Sequence, residues 1–294
     1  MSAIRLSTIR VEKPWGRLQL WPGFAGAERA PVGEVWFDAP PGVAAILQVK
    51  YLFTSERLSI QVHPDDDAAR ATGYPHGKDE AWVVLAAAPD STIAYGLKHA
   101  LSREALRAAA LDGSIEALLD WRPVKAGDVI YSQAGTIHAI GAGLTIIEVQ
   151  QNIDLTYRLY DYGRPRELHL DAGLAVADCA PLPPFTDASA RVVNENVEEA
   201  EVVANPKQLL VSGRKFRIER WTFTVHTVCH SGTTKPCWLI PVSGGGTIDG
   251  VRYAAGECWV AQGAFTLEQD AGSELLCAIP ASAADAAVHN VAFG

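Results

Sequence analysis

The chain has 294 residues, 48% of them hydrophobic and 20% charged, with a formal net charge of -9. That length makes one large domain or two ordinary ones, and the composition excludes a disordered chain, which needs low hydrophobicity with high net charge. An acidic protein has no general basic surface for a nucleic-acid backbone or an anionic membrane, so an anionic ligand must meet a few local cations. The N-terminal segment MSAIRLSTIRVEKPWGR mixes charged and apolar residues and does not read as a signal peptide. No stretch approaches the ~20 apolar residues of a membrane helix. Cys179, Cys229, Cys237, Cys258 and Cys277 are odd in number and form no C-x-x-C. They read as reduced thiols of a cytoplasmic protein, not as a disulfide framework or a thiolate zinc site.

In chain order, most of the sequence reads as short strands punctuated by glycine and proline. Examples are LSIQVH (58–63), AWVVL (81–85), DVIYS (128–132), LTIIEVQ (144–150), RIERWTFTV (217–225) and CWLIPV (237–242). Strands of this length with frequent turns predict a β-sandwich or barrel. Two helical patches interrupt them. One runs from Pro64 to Gly73, with the aspartates at 65–67 near its start, and the other runs from Ser102 to the Asp112-Gly113 break and resumes after Ser114. Three prolines between 181 and 184 forbid regular structure, and the acidic stretch NENVEEAEVV follows. This places a larger domain over 1–178 and a smaller all-β domain over 188–294. The triple glycine at 244–246 reads as a hairpin turn, since no helix follows it to form a phosphate loop.

Side chains alternate across a strand, so Ser59, Gln61 and His63 share one face of LSIQVH. Lys78 and Glu80 form a second same-face pair entering AWVVL, and His138 follows a tight glycine turn in GDVIYSQAGTIHAIG. Two imidazoles, a carboxylate and an amide carbonyl suit a divalent metal such as zinc. With neutral Gln and His and one Glu, Zn²⁺ keeps a net +1 charge that can stabilise an enediolate. A solvated strand face shows the same alternation, so spacing alone leaves the metal and solvent readings both open.

GDVIYSQAGTIH resembles the second cupin motif, G-x5-P-x-G-x2-H, with Gln133 in the place of its proline. Together with LSIQVHPDD, GKDEAW, GTIHAIGAGLTIIEVQQNIDLTYRLYDYGR and the N-terminal KPWGR and GEVW, it resembles the zinc-dependent, cupin-type mannose-6-phosphate isomerases. The likeness covers roughly residues 10–170 and is to the short bacterial branch. It implies a mainly β protein of two cupin-like jelly rolls with a few short helices, the second roll degenerate and catalytically silent. It also implies one Zn²⁺ per chain held by Gln61, His63, Glu80 and His138, with Arg158, Lys78 and Asp154 catalytic and Ser59, Lys78 and Arg158 binding substrate. One departure stands out. Longer members carry His directly before the lysine, where this chain has Gly77, with His76 one place earlier.

The implied activity is interconversion of mannose 6-phosphate and fructose 6-phosphate through a cis-enediol, with a phosphosugar substrate, no nucleic acid or membrane partner, and the oligomeric state open. An iron cupin dioxygenase is a rival, opposed by Gln61 as a fourth protein ligand. A non-catalytic sugar-phosphate binder on the same scaffold is another, because fold does not fix function. Trp15 and Trp36 read as core aromatics and not as sugar platforms. Arg164 and Arg166 read as surface ion-pair residues. His76, His99, His169, His226, His230 and His289 match no ligand pattern.

Overall fold

The computed structural model describes residues 3–20, 24, 26–43, 45–182 and 207–281. The chain begins with β1 (Ile4–Arg5), β2 (Ser7–Gln19), β3 (Ala27–Asp38), β4 (Leu47–Phe53), β5 (Ile60–Val62) and helix α1 (Asp66–Ala71). Next come β6 (Glu80–Ala87), β7 (Thr92–Leu97), α2 (Arg103–Asp112), α3 (Ile115–Leu118), β8 (Leu119–Pro123) and β9 (Val129–Ser132). Then follow β10 (His138–Ile140), β11 (Leu144–Gln151), β12 (Tyr157–Tyr160) and α4 (Leu170–Val176). The second half holds β13 (Lys207–Ser212), β14 (Phe216–Phe223), β15 (Thr227–Ser243), β16 (Gly246–Ile248), β17 (Val251–Tyr253), β18 (Trp259–Gln269) and β19 (Ser273–Pro280). The protein is mainly β, with few short helices, as the sequence implies. The Pro-rich boundary beyond Leu182, the acidic stretch and His289 lie outside the described residues.

Three sheets stack. The six-stranded sheet runs β2-β3-β4-β11-β6-β9, the five-stranded sheet β12-β5-β10-β7-β8, and the third β13-β14-β19-β15-β18-β16-β17, with β1 added alongside β18. The six-stranded sheet is the middle layer, and strand parity explains how it is covered on both sides. Val49, Tyr51 and Phe53 of β4, Ala81 and Val83 of β6, and Ile147 and Val149 of β11 point toward the second half. There they join Phe216, Ile218, Trp238, Ile240, Val260 and Leu276 in one core. The alternate residues Leu52, Trp82, Val84 and Ile146 point the other way, against Ile93 and Ile140 of the five-stranded sheet. Full burial of each such side chain contributes roughly 1.5–3 kcal/mol, which holds the layers together. The third sheet encloses a further core on its other side around Trp221, Leu239, Trp259 and Leu267. Helices α2, α3 and α4 cover the outer face of the five-stranded sheet through Leu106, Ile115 and Leu174.

Local chemistry sets the helix ends. The Asp65 side chain accepts from Ala68 N and caps α1, and Ser102 accepts from Ala105 N and caps α2. Gly113, at φ +83°, ends α2 in a left-handed turn that side chains rarely adopt. The triple glycine differs from its expected hairpin. β15 and β16, which it joins, flank β18 on opposite sides and do not pair with each other, so Gly244–Gly245 carries the chain across the end of β18. Helix α4 is also absent from the sequence reading. Its Gly173 lies against Leu159, where a Cβ would meet Cδ2 at 2.6 Å. All five cysteines are free. Among the described residues no helix is long and apolar enough to cross a membrane.

Candidate metal centre and active-site cavity

The site forms where the five-stranded sheet faces the six-stranded one. In the five-stranded sheet Arg158 pairs with Gln61, and Gln61 pairs on its other side with His138, so one register row carries all three. In the six-stranded sheet Glu80 heads β6, paired with Gln150 and Ser132. His63 leaves β5 one residue after its last ladder position. Nitrogen and oxygen atoms of His63, Glu80 and His138 lie within 4.8 Å of one another, all three residues buried.

The donor set fits a divalent cation. His63 Nδ1 lies 2.8 Å from the Leu155 carbonyl and His138 Nδ1 lies 2.9 Å from that of Thr136. Each Nδ1–H donates there, which leaves both Nε2 atoms unprotonated. His63 Nε2 touches Glu80 Oε1, and His138 Nε2 lies 3.5 Å from the same oxygen. Glu80 Oε1 is buried with no hydrogen-bond donor. Burial and the nearby Lys78 ammonium hold the His63 imidazole down at about 4, and burial lowers His138 too. Both rings are therefore neutral at neutral pH and present lone pairs to an anionic oxygen, an arrangement that a cation relieves. Burial works against the Glu80 carboxylate, but the Lys78 ammonium outweighs it and holds the group well below the usual carboxylate range. Gln61 presents its amide nitrogen to His138 at 3.3 Å and its oxygen to Ser59 Oγ at 3.1 Å. As a ligand it would present the oxygen instead, a half-turn of the amide.

A cavity of about 340 Å³ lies beside this centre, walled on that side by Gln61 and Lys78, and is of the scale of small-molecule sites. Ser59, Gln61, Lys78, Asp154 and Arg158, all singled out from the sequence, line it. The Lys78 ammonium is buried, 3.5 Å from His63 Nε2 and 3.7 Å from Glu80 Oε1. Burial alone would lower it, but Glu80, Glu148, Asp154 and Glu34 outweigh the desolvation and raise it. Arg158 is half-buried and donates through Nη1 to the Glu167 carbonyl. The expected shared face of Thr156, Arg158 and Tyr160 holds for the first two, which both line the cavity. A bulge after Arg158 turns Tyr160 into the helix-side core instead.

Comparison with known proteins follows the same direction. No protein-family model matches the chain. A mannose-6-phosphate isomerase of Streptococcus mutans serotype c is 43% identical over 136 residues, 44% of this chain and 43% of that protein. The chain thus spans less than half of that relative's length. The Bacillus subtilis protein named probable mannose-6-phosphate isomerase GmuF is 31% identical over 246 residues, 79% of this chain and 75% of its own. The chain belongs to the mannose-6-phosphate isomerase family. The crystal structure of the mannose 6-phosphate isomerase from Bacillus subtilis has the same fold, with a TM-score of 0.78 at 24% identity over 95% of this chain and 99% of that one.

Against that family background, several cavity residues escape sequence reading. Lys50 and Glu148 sit opposite each other on β4 and β11, 3.5 Å apart and both buried. Lys50 also donates to Gln150 at 2.8 Å, and Trp82 Nε1 donates to Glu148 at 3.1 Å. Burial and the Glu80 charge push the Glu148 carboxyl up to about 8. The signal was present: Lys50 and Glu148 are isolated charges inside the apolar strands LQVKYLF and LTIIEVQQ. Trp15 is a core aromatic as read, and both tryptophans also reach the cavity. Trp15 is buried yet lines the cavity, as does Trp36, whose ring lies 4.6 Å from the Lys50 ammonium. Arg166 is likewise a wall residue, its fork held by Asp161, whereas Arg164 pairs with Asp161 and stacks on Tyr162. His76 hydrogen-bonds the Gly77 carbonyl and does not line the cavity. Gly77 is held so close to Pro64 and Asp65 that a Cβ would lie 2.3 Å from their backbone. Its backbone position leaves no room for the histidine of longer members.

Proposed function

We propose that this chain interconverts mannose 6-phosphate and fructose 6-phosphate by proton transfer between C2 and C1 through a cis-enediol. We further propose that it holds one Zn²⁺ through Gln61, His63, Glu80 and His138. The observation that carries the reading is the convergence of two neutral imidazoles on a buried carboxylate oxygen, beside a cavity lined by Lys50, Lys78, Arg158 and Arg166. A divalent ion there supplies charge stabilisation for oxygens that become anionic beside a carbonyl.

The chain's own groups divide the remaining work. Arg158, at the cavity wall, offers two parallel donors to a phosphate or to the developing oxygen pair. Lys78 supplies a buried positive charge that polarises the sugar, and Ser59 Oγ orients the Gln61 amide and can bind a hydroxyl. Of the three carboxyls that line the cavity, Glu34 is engaged by Lys13 and Trp36, which makes Asp154, exposed, and Glu148, buried beside Trp82, the candidates to carry the proton. On this reading the chemistry belongs to residues 1–178, and 188–294 form the covering domain. Five free thiols support a cytoplasmic setting.

The test is formation of fructose 6-phosphate from mannose 6-phosphate by the purified protein, with and without chelator, with oxygen uptake followed in parallel. Isomerisation that disappears with chelator is expected. Oxygen consumption by the iron-loaded protein without isomerisation, or tight sugar-phosphate binding with no turnover, would overturn the reading.

A further inference from the structure

Residues 77–79 lead into Glu80 before the β6 ladder begins, so other bonds must fix them. Lys78 N donates to the Pro64 carbonyl at 3.0 Å. Gly77 N donates to Asp66 Oδ1 at 2.9 Å, and Asp79 N to Gln151 Oε1 at 3.0 Å. The Gln151 amide nitrogen in turn donates to Asp66 Oδ1 at 3.3 Å. The buried Asp79 carboxylate accepts from Tyr131 OH and from Ala134 N. Two carboxylates, Asp66 and Asp79, therefore anchor the segment.

Both anchors are met by one turn of the second half, residues 213–215 between β13 and β14. Lys215 Nζ donates to Asp66 Oδ2 at 2.6 Å. The Tyr131 ring lies edge-on to Phe216, centroids 5.6 Å apart. On Gly213 an added Cβ would fall 2.3 Å from the same ring. The turn is itself held by Gly213 N to the Phe216 carbonyl at 3.0 Å and by Ala281 N to the Lys215 carbonyl at 2.8 Å.

We propose that this turn is a positioning element of the site, with Lys215 acting through Asp66, and Gly213 and Phe216 through Tyr131 and Asp79, to fix Lys78 and Glu80. The covering half thus sets the geometry of the centre without supplying an atom to it. The inference rests on the metal-dependent reading of the site given above. An ordinary partly exposed ion pair adds little stability and nothing else, whereas partners that orient a ligand change metal affinity and turnover.

The test compares wild-type protein with Lys215→Ala, Asp66→Asn, Gly213→Ala and the conservative Lys215→Arg. The readouts are the rate at which a chelator strips zinc, kcat and KM for the isomerisation, the thermal midpoint, and hydrogen exchange over residues 76–80. Lys215→Ala and Gly213→Ala are expected to lose zinc about tenfold faster and to lower kcat by a similar factor with KM little changed. Asp66→Asn, which keeps an acceptor for Gly77 N–H, is expected to do the same more weakly, and Lys215→Arg to restore wild-type values. A lower thermal midpoint with wild-type zinc loss, kcat and exchange overturns the proposal. Wild-type protein that neither holds zinc nor isomerises overturns the reading of the site instead. In that case hydrogen exchange still decides this inference, because faster exchange at Gly77 and Asp79 in Lys215→Ala requires neither metal nor substrate.

Discussion

Arg158 stands directly across the β12–β5 ladder from Gln61. Opposed antiparallel residues have Cβ atoms ~5 Å apart, so the guanidinium proposed to meet the substrate and the amide proposed to meet the metal are set side by side by the same backbone register. Lysine at 158 keeps the charge but not the planar fork. Arg158→Lys is expected to keep fold and metal content and to lose ~10²-fold or more in kcat/KM, the scale of one lost charge-stabilising donor. Steady-state kinetics with metal analysis checks it. A loss confined to KM assigns Arg158 to uniform phosphate binding, and a loss in kcat assigns it to the chemistry.

Glu148 and Asp154 are separated by the same approach. Glu148→Gln keeps the size and the Trp82 contact while removing the exchangeable proton. It is expected to lower kcat by ~10²-fold or more with KM little changed, the usual range for a lost general acid or base. Asp154→Asn, at an exposed position, is expected to have the smaller effect. The reverse order would transfer the proton-carrying role to Asp154.

The convergence of His63, Glu80 and His138, with Gln61 against His138, was legible because all four residues lie in long motifs that carry the family resemblance. Lys50 and Glu148 were not, for a reason rooted in the layering. The middle sheet is covered on both faces, so its strands read as continuous apolar runs in which one charge per strand attracts no notice. The path taken by Gly244–Gly245 depends on β18, a strand that arrives later in the chain. A local turn signal cannot reveal that strand order. Helix α4 is seven residues long with a glycine in its interior and owes its existence to packing on β12 and β5.

Gly77 shows why the family histidine has no place here. Gly77→Ala drives a Cβ into the Pro64–Asp65 backbone. It is expected to destabilise the protein by about 1–3 kcal/mol, the cost of overpacking against atoms that cannot move freely. Denaturant unfolding measures this. Unchanged stability would mean that the 77–80 segment is not fixed as described.

The Asp66–Lys215 pair has an acid signature. Burial raises the Asp66 carboxyl, but Lys215, the Gly77 N–H and the Gln151 amide outweigh it and hold the group at about 2 against an ordinary 3.8. A carboxylate depressed on folding stabilises the folded state above its unfolded pKa, and that contribution fades as pH falls through the folded value. The stability gap between wild type and Lys215→Ala is therefore expected to be constant above about pH 4 and to shrink toward pH 2. Urea unfolding across that range checks it, and a gap that widens on acidification would contradict the pairing.

On the proposed reading, one divalent ion in the His63–Glu80–His138 centre is needed for isomerisation. Its most direct test is to strip the protein with chelator, add back Zn²⁺ in steps, and follow conversion of mannose 6-phosphate alongside bound metal, with His138→Ala in parallel. Activity is expected to return linearly and to stop rising at one zinc per chain, while His138→Ala binds no stoichiometric zinc and stays inactive. Full activity in the stripped protein, or in metal-free His138→Ala, would contradict the account.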